Sequence, residues 1–256
     1  MKKQNGFTLV ELAIVLMIIG LLIGGILRGQ ELMNNARVTS TVQQVNAYQG
    51  AWHTFTDAYN SYPGDIATAA NKLPGCQTGN NNQCQNGNGD GLINSLGGVA
   101  DYPYNNIPNG IATENTQAWK HLALAHLISG VDPSATTPDW GKTFPAAKIG
   151  GGFFIRYGNI NIINTMVTSG NFFVLRGTVS GNWICGPSNN GACSVSPQRA
   201  SQMDRKMDDG IAMTGSVYGV SSNWNEGCGP ANLGTNGPNG YNETNDVKNC
   251  DLMFRI

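Results

Sequence analysis

The residues best able to do covalent or metal chemistry in this chain are its six cysteines: Cys76, Cys84, Cys185, Cys193, Cys228 and Cys250. An even cysteine count predicts disulfides in an oxidising compartment, and six cysteines allow 15 pairings. Sequence proximity favours three of these, each closing a Gly/Asn-rich loop: Cys76–Cys84, Cys185–Cys193 and Cys228–Cys250. A metal site is the alternative, but the chain has no C-x-x-C spacing to favour it.

A second candidate for metal chemistry is the loop NGNGDGLIN at residues 86–94. It follows the first half of a calcium-loop pattern, in which oxygens of Asn86, Asn88 and Asp90 would face the ion. The twelfth position is Gly97, where the pattern requires a bidentate glutamate, and the first ligand is neutral. A plain Asn-Gly turn is therefore favoured, and calcium is the only cofactor that the sequence suggests.

Catalytic chemistry has little support in the sequence. The three histidines are His53, His121 and His126, and the last two are five positions apart, so they do not share a helix face as i, i+4 ligands would. No nucleophile elbow, P-loop or dinucleotide fingerprint occurs. We therefore predict that the chain is not an enzyme, with a signal-anchored periplasmic enzyme as a remote alternative.

One carboxylate lies in an unusual place, near the start of an apolar run. Residues 7–27 read FTLVELAIVLMIIGLLIGGIL, and Glu11 is the only charged residue among them. At about 1.5 Å per residue, a helix of this length crosses the roughly 30 Å hydrocarbon core of a bilayer. Lys2 and Lys3 precede the run, which predicts a cytoplasmic N-terminus and a translocated remainder.

The segment GFTLVEL at residues 6–12 resembles the prepilin signal of type IV pilins and type II secretion pseudopilins. The resemblance implies that a prepilin peptidase removes residues 1–6 by cutting between Gly6 and Phe7, and that Phe7 is then N-methylated. Glu11 becomes the fifth residue of the mature chain. The predicted divisions are a leader at 1–6, a transmembrane and assembly helix at 7–29, an amphipathic half at 30–60 and a head at 61–256.

The resemblance also gives Glu11 a role in assembly. An ionised carboxylate at membrane depth is costly and is by default functional. In a filament, Glu11 of one subunit would pair with the Phe7 amine of its neighbour and so leave no unpaired charge in an apolar filament core. We therefore expect Glu11 to set the register between neighbouring subunits.

The helix is predicted to continue past the membrane to about residue 59. Apolar residues recur at spacings of three and four: Val38, Val42, Val45, Tyr48, Trp52, Phe55 and Tyr59. This is the stripe of an amphipathic helix. Four glycines lie between the two halves, at positions 20, 24, 25 and 29, and they leave open either close helix packing or local unwinding.

The rest of the chain predicts an α+β head in which antiparallel strands pack on the long helix. Helices are expected at residues 113–129 and from Ser196-Pro197 to about Asp208, and strands at 152–157, 171–176, 211–220 and 252–256. Three short segments resemble segments of large pseudopilin-like proteins: YPGD (62–65), WKHLALA (119–125) and DDG (208–210). The resemblance does not assign a role to any of them.

These features predict a filament subunit, either a type IV pilin or a type II secretion pseudopilin. The alternative is a minor tip subunit whose head acts as an adhesin or a substrate receptor. The expected partners are the prepilin peptidase, the inner membrane and neighbouring filament subunits. Without Lys2 and Lys3, 13 basic face 16 acidic side chains, a net charge of −3, which argues against bulk nucleic-acid binding.

Overall fold

The structure is a computed structural model of the 256-residue chain. It describes residues 8–76, 84–93, 113–162, 165–179, 193–221, 227–229 and 239–256, with side chains undescribed at 159–162 and 165–167. The helices are α1 (Leu9–Tyr59), α2 (Ala69–Lys72), α3 (Glu114–Leu124) and α4 (Pro197–Met207). The strands are β1 (Gly152–Ile162), β2 (Thr165–Arg176), β3 (Val217–Val220) and β4 (Asp251–Arg255).

The four strands form one antiparallel sheet in the order β1-β2-β4-β3. The long helix lies on one face of this sheet, where Tyr48 makes edge contacts with Phe153 of β1 and with Trp119 of α3. Trp119 in turn stacks on Phe173 of β2. The predicted α+β class, with a long helix packed on an antiparallel sheet, is confirmed.

The amphipathic stripe predicted for the second half of α1 is the part of the helix that is buried. Its members from Val38 to Phe55 are all buried, and only Tyr59 is partly exposed. The helix ends at Asn60, which adopts a left-handed conformation with φ of 50°. The turn at Pro63-Gly64 follows directly, because proline disfavours a helical residue before it and Pro-Gly favours a turn.

Two predicted elements are shorter than expected. The helix predicted over 113–129 ends at Leu124, because His126 takes a left-handed conformation and the Leu127 amide bonds back to the Leu122 carbonyl. The strand predicted over 211–220 begins only at Val217. The residues before it form a turn, whose amides bond to the side chains of Asp208 and Asp209.

Candidate functional site

The first half of α1 is an apolar helix that the head does not cover. Its large apolar side chains are 44–87% exposed from Leu9 to Met33. The helix runs unbroken across all four glycines, and each of these glycines has open space around it. By length and composition, α1 is a candidate membrane span within the described part of the chain. Because burying so much apolar surface is favourable, this half needs a membrane or other subunits around it.

Glu11 has a local role that the membrane argument alone does not reveal. The Thr8 amide and hydroxyl donate hydrogen bonds to Glu11 Oε2 at 2.8 and 2.9 Å, and the Glu11 amide donates to Thr8 Oγ1 at 3.3 Å. This is a capping box, which satisfies donors at the first turn of the helix. The T-x-x-E spacing before an apolar run is a readable signal for it.

The capping box requires a polar side chain at position 11 but does not require a charge. Neither Thr8 nor Glu11 belongs to the predicted leader, so a cut before Phe7 would leave the box intact. A glutamine at position 11 can form the same box without a charge. Capping therefore explains a polar residue at this position, whereas a carboxylate is favoured in addition by the helix macrodipole and by any positive charge that pairs with it. Gly6 and Phe7 lie outside the described residues, so the cleavage site stays a prediction.

In the head, the predicted calcium loop wraps around a buried carboxylate. Asp65, from the turn after α1, accepts amide hydrogens from Gly89 and Asp90 on one oxygen and from Gly91 on the other, at 2.7–3.0 Å. Glu114 Oε1 accepts the Asn88 amide at 2.9 Å. Burial raises the pKa of Asp65 above its usual value, although three amides donate to it.

The three side chains predicted as calcium ligands accept hydrogen bonds in this loop. Asn86 Oδ1 accepts from the Ala70 amide, Asn88 Oδ1 from the Asp90 amide, and Asp90 Oδ1 from the Leu92 amide. The Asn88 and Asp90 contacts are Asx turns, in which a side chain accepts the amide two residues on, whereas the Asn86 contact joins the loop to α2. Carboxylate oxygens of Asp65, Asp90 and Glu114 lie within 4.8 Å of one another. Calcium binding stays a prediction.

His121 joins this loop to the end of α1. Its Nδ1 accepts the Gly64 amide and its Nε2 donates to the Gln85 carbonyl, both at 2.9 Å, so the ring is neutral. The ring is fully buried, and burial lowers the pKa of His121 to about 4. Gly64 must be a glycine, because its φ is +93° and a Cβ would lie 2.5 Å from the Glu114 carbonyl oxygen.

The contacts of His121 give a structural role to two segments for which the sequence alone suggests none. The YPGD turn contributes the Gly64 amide and the Asp65 carboxylate, and the WKHLALA helix contributes His121. The two segments are in direct contact, although Gly64 and His121 are 57 positions apart in the chain. These contacts therefore fix the C-terminal end of α1 to α3 and to the 84–93 loop.

The third such segment, DDG, belongs to a second polar cluster near the C-terminus. Asp204 on α4 is fully buried and accepts the Gly210 amide at 3.0 Å and the Tyr241 hydroxyl at 2.6 Å. Asp208 and Asp209 place carboxylate oxygens within 4.8 Å of the Asp204 carboxylate. Burial is the largest cause raising the pKa of Asp204, to about 6, and the two neighbouring carboxylates add to it.

Two of the three expected disulfides are present, Cys76–Cys84 and Cys228–Cys250. Cys193 is buried and bonds to no other described cysteine. Its expected partner, Cys185, lies outside the described residues, so this pairing stays a prediction. The two disulfides staple the loops that meet His121 and Asp204 respectively, because Gln85 follows Cys84 and Tyr241 pairs with Cys228.

The head also has a cleft beside the buried half of α1. Its volume is about 520 Å³, and residues from both α1 and the 127–148 region line it, among them Gln44, Tyr48, Ile128, Pro145 and Lys148. Gln44 bridges the two sides, because its amide donates to the Ala146 carbonyl and accepts the Lys148 amide.

Residues 1–27 match a family model described as the prokaryotic N-terminal methylation motif. The N-terminus therefore carries the signal of type IV pilins and pseudopilins, which are structural subunits rather than enzymes. No curated protein and no solved structure matches the chain significantly. Since the matched residues end at Leu27, the relation of the head to large pseudopilin-like proteins stays a prediction.

Proposed function

We propose that the chain is the precursor of a filament subunit, a type IV pilin or a type II secretion pseudopilin, that polymerises through α1. The observation that carries the proposal is the division of this one helix. Its second half is buried by the head, whereas its first half exposes a continuous apolar surface, most of which lies within the methylation motif at residues 1–27. A bilayer covers that surface before assembly, and neighbouring copies of the helix cover it afterwards.

Processing precedes assembly in this proposal. The prepilin peptidase cuts between Gly6 and Phe7 on the cytoplasmic side, where Lys2 and Lys3 hold the leader, and Phe7 is methylated. The subunit then spans the inner membrane once, with residues 61–256 in the periplasm as the head. The two disulfides of the described residues suit this oxidising compartment. Assembly carries the head into the pilus or pseudopilus.

Glu11 acts twice in this scheme. Within one subunit it caps the first turn of α1 together with Thr8. Between subunits its charge pairs with the Phe7 amine of the neighbour, which the cut has exposed. Because an unpaired carboxylate in an apolar environment is costly, a subunit that enters without this partner is disfavoured.

Substitutions at Glu11 separate capping from charge pairing. We expect Glu11→Gln, which keeps the capping box, to reach the membrane but to be lost from filaments, as Glu11→Leu is. Sheared filaments and membranes are quantified by immunoblot in cells that express each variant. The matched control is Glu31→Gln, which removes an exposed ion pair to Arg28 on the same helix and should assemble normally. Normal assembly of Glu11→Gln would contradict the charge-pairing role.

A minor tip subunit is the second candidate function. The cleft of about 520 Å³ beside α1 favours it, since a head that binds an adhesion target or a secretion substrate needs a concave surface. Abundance distinguishes the two candidates. A structural subunit dominates sheared filaments, whereas a tip subunit is a small fraction of them.

A further inference from the structure

Two glycines of the predicted calcium loop are required by its backbone, and each of them follows an asparagine. A Cβ on Gly87 would lie 2.3 Å from the Gly64 carbonyl oxygen, so a side chain does not fit there. Gly89 has a φ of +79°, a conformation that favours glycine. The fold therefore places the pairs Asn86-Gly87 and Asn88-Gly89 in a loop where both asparagine side chains are exposed.

An asparagine followed by glycine is prone to deamidation, because glycine lets the next backbone nitrogen reach the asparagine side chain. That nitrogen loses its proton and bonds to Cγ, the Cγ–Nδ2 bond breaks, and ammonia leaves with the proton. Water then opens the cyclic imide to aspartate or isoaspartate. The reaction needs no reagent besides water, which reaches both exposed side chains.

The structure occupies the attacking nitrogen of both pairs. The Gly89 amide donates to Asp65 Oδ1 at 2.7 Å, and the Gly87 amide donates to the Ile66 carbonyl at 3.0 Å. A carboxylate beside an amide opposes loss of the amide proton, because the nitrogen anion would be repelled. The same carboxyl group also accepts the next two amides of the loop, so the Gly89 amide is released only when the loop leaves Asp65.

The side chains of both asparagines are held as well. Asn88 Oδ1 accepts the Asp90 amide and its Nδ2 donates to Asp90 Oδ2, each at 2.9 Å. Asn86 Oδ1 accepts the Ala70 amide at 3.1 Å. Attack therefore requires each side chain to leave a partner and the loop to leave Asp65.

Deamidation would prevent the loop from returning to its native contacts. The Asn88 side chain would lose the N–H group that faces Asp90 and would present a carboxylate there instead. Carboxylate oxygens of Asp65, Asp90 and Glu114 already lie within 4.8 Å of one another. A further negative charge among them is unfavourable.

We propose that Asn86 and Asn88 are a cryptic modification site, which is deamidated only when the loop detaches from Asp65. The change is one-way, because the product cannot restore the native contacts. The site is independent of whether the chain forms filaments, because it lies within the head.

The test measures deamidation at each asparagine by peptide mapping and mass spectrometry. Full-length protein in detergent is incubated at mildly alkaline pH, in parallel with urea-unfolded protein and with a synthetic peptide of residues 85–92. We expect both sites to react at least about tenfold more slowly in the native protein than in the unfolded protein or the peptide, since modification follows the population of the open loop. Equal rates in the native and unfolded proteins would overturn the proposal.

Two variants connect the protection to the contacts of the loop. Asp65→Ala removes the acceptor of three amides and should raise the Asn88 rate to within about threefold of the peptide rate. Asp90→Ala removes an exposed acceptor of the Asn88 side chain and should raise the rate about fivefold at Asn88 and not at Asn86, so this variant carries the test if Asp65→Ala does not fold. The matched control is Asp57→Ala, which removes an exposed carboxylate on α1 and should leave both rates unchanged. Wild-type rates at Asn88 in Asp65→Ala and Asp90→Ala would also contradict the proposal.

Discussion

The two halves of α1 have the same secondary structure and opposite surroundings. In the half from Val38 to Phe55, a stripe of apolar residues is buried against α3, α4 and the sheet. In the half from Leu9 to Met33, the apolar side chains on every side of the helix are exposed. A helix that is apolar all round must be buried by something, and here the described head does not provide it.

The difference shows that the head covers only the second half of α1. The head buries the second half of α1 by itself, through aromatic contacts such as Trp52–Phe173 and Tyr48–Phe153. The exposed first half of α1 is covered only by a bilayer or by other copies of the chain. Substitutions in the buried half should therefore lower the stability of the head, whereas substitutions in the exposed half should leave that stability nearly unchanged.

The largest expected effect is the loss of Phe55, which is fully buried and contacts Tyr59 and His121. Phe55→Ala should lower the free energy of unfolding of the head by about 3–5 kcal/mol, the usual cost of such a cavity. Chemical denaturation of the full chain in detergent measures it. The matched control is Leu16→Ala in the exposed half, which should change the head by less than about 0.5 kcal/mol. Equal losses would erase the contrast between the halves.

Acid should weaken the buried half specifically through His121. Its folded pKa of about 4 lies below the usual 6.5, so the stabilisation is complete above about pH 6.5 and is lost as the pH falls to about 4. The loss amounts to about 3 kcal/mol.

The variant that sharpens this prediction is His121→Gln. It should be less stable at pH 7, yet lose less stability than the wild type between pH 7 and 4, as equilibrium unfolding at each pH would show. Parallel curves for the two proteins would exclude His121 as the source. Asp204 titrates in the opposite direction, because its contribution falls as the pH rises.

A smaller effect is expected at Gln44, where α1 meets the 146–148 segment. Gln44→Ala removes two hydrogen bonds, one to the Ala146 carbonyl and one from the Lys148 amide, and should cost about 1 kcal/mol. Its neighbour Gln43 is exposed, so Gln43→Ala is the control and should be neutral. If the two variants unfold at the same denaturant concentration, the bridge contributes nothing.

Local patterns predicted the elements of this fold well. The three- and four-residue spacing of apolar residues identified the buried half of α1, and Ser196-Pro197 marked the first turn of α4. Short sequence separation also identified the disulfides Cys76–Cys84 and Cys228–Cys250. Each of these signals lies within a few tens of residues, where the chain itself limits the partners.

Contacts between distant segments were not predictable in this way. Nothing in the sequence pairs Gly64 with His121 or Asp204 with Tyr241, because these contacts depend on how helices and loops pack in three dimensions. The early end of α3 has a similar origin in a left-handed His126, a conformation that a non-glycine residue rarely adopts. The Thr8–Glu11 capping box is a local contact by contrast, and its T-x-x-E spacing can be read from the sequence.

The central claim is that the exposed half of α1 belongs to a processed filament subunit. The most direct test is mass spectrometry of the protein from membranes and from sheared surface material. We predict an N-terminus at methylated Phe7 in both fractions, with a mature chain that lacks residues 1–6. An uncut Met1 in cells with an active prepilin peptidase would contradict the account, since Glu11 would then have no amine to meet.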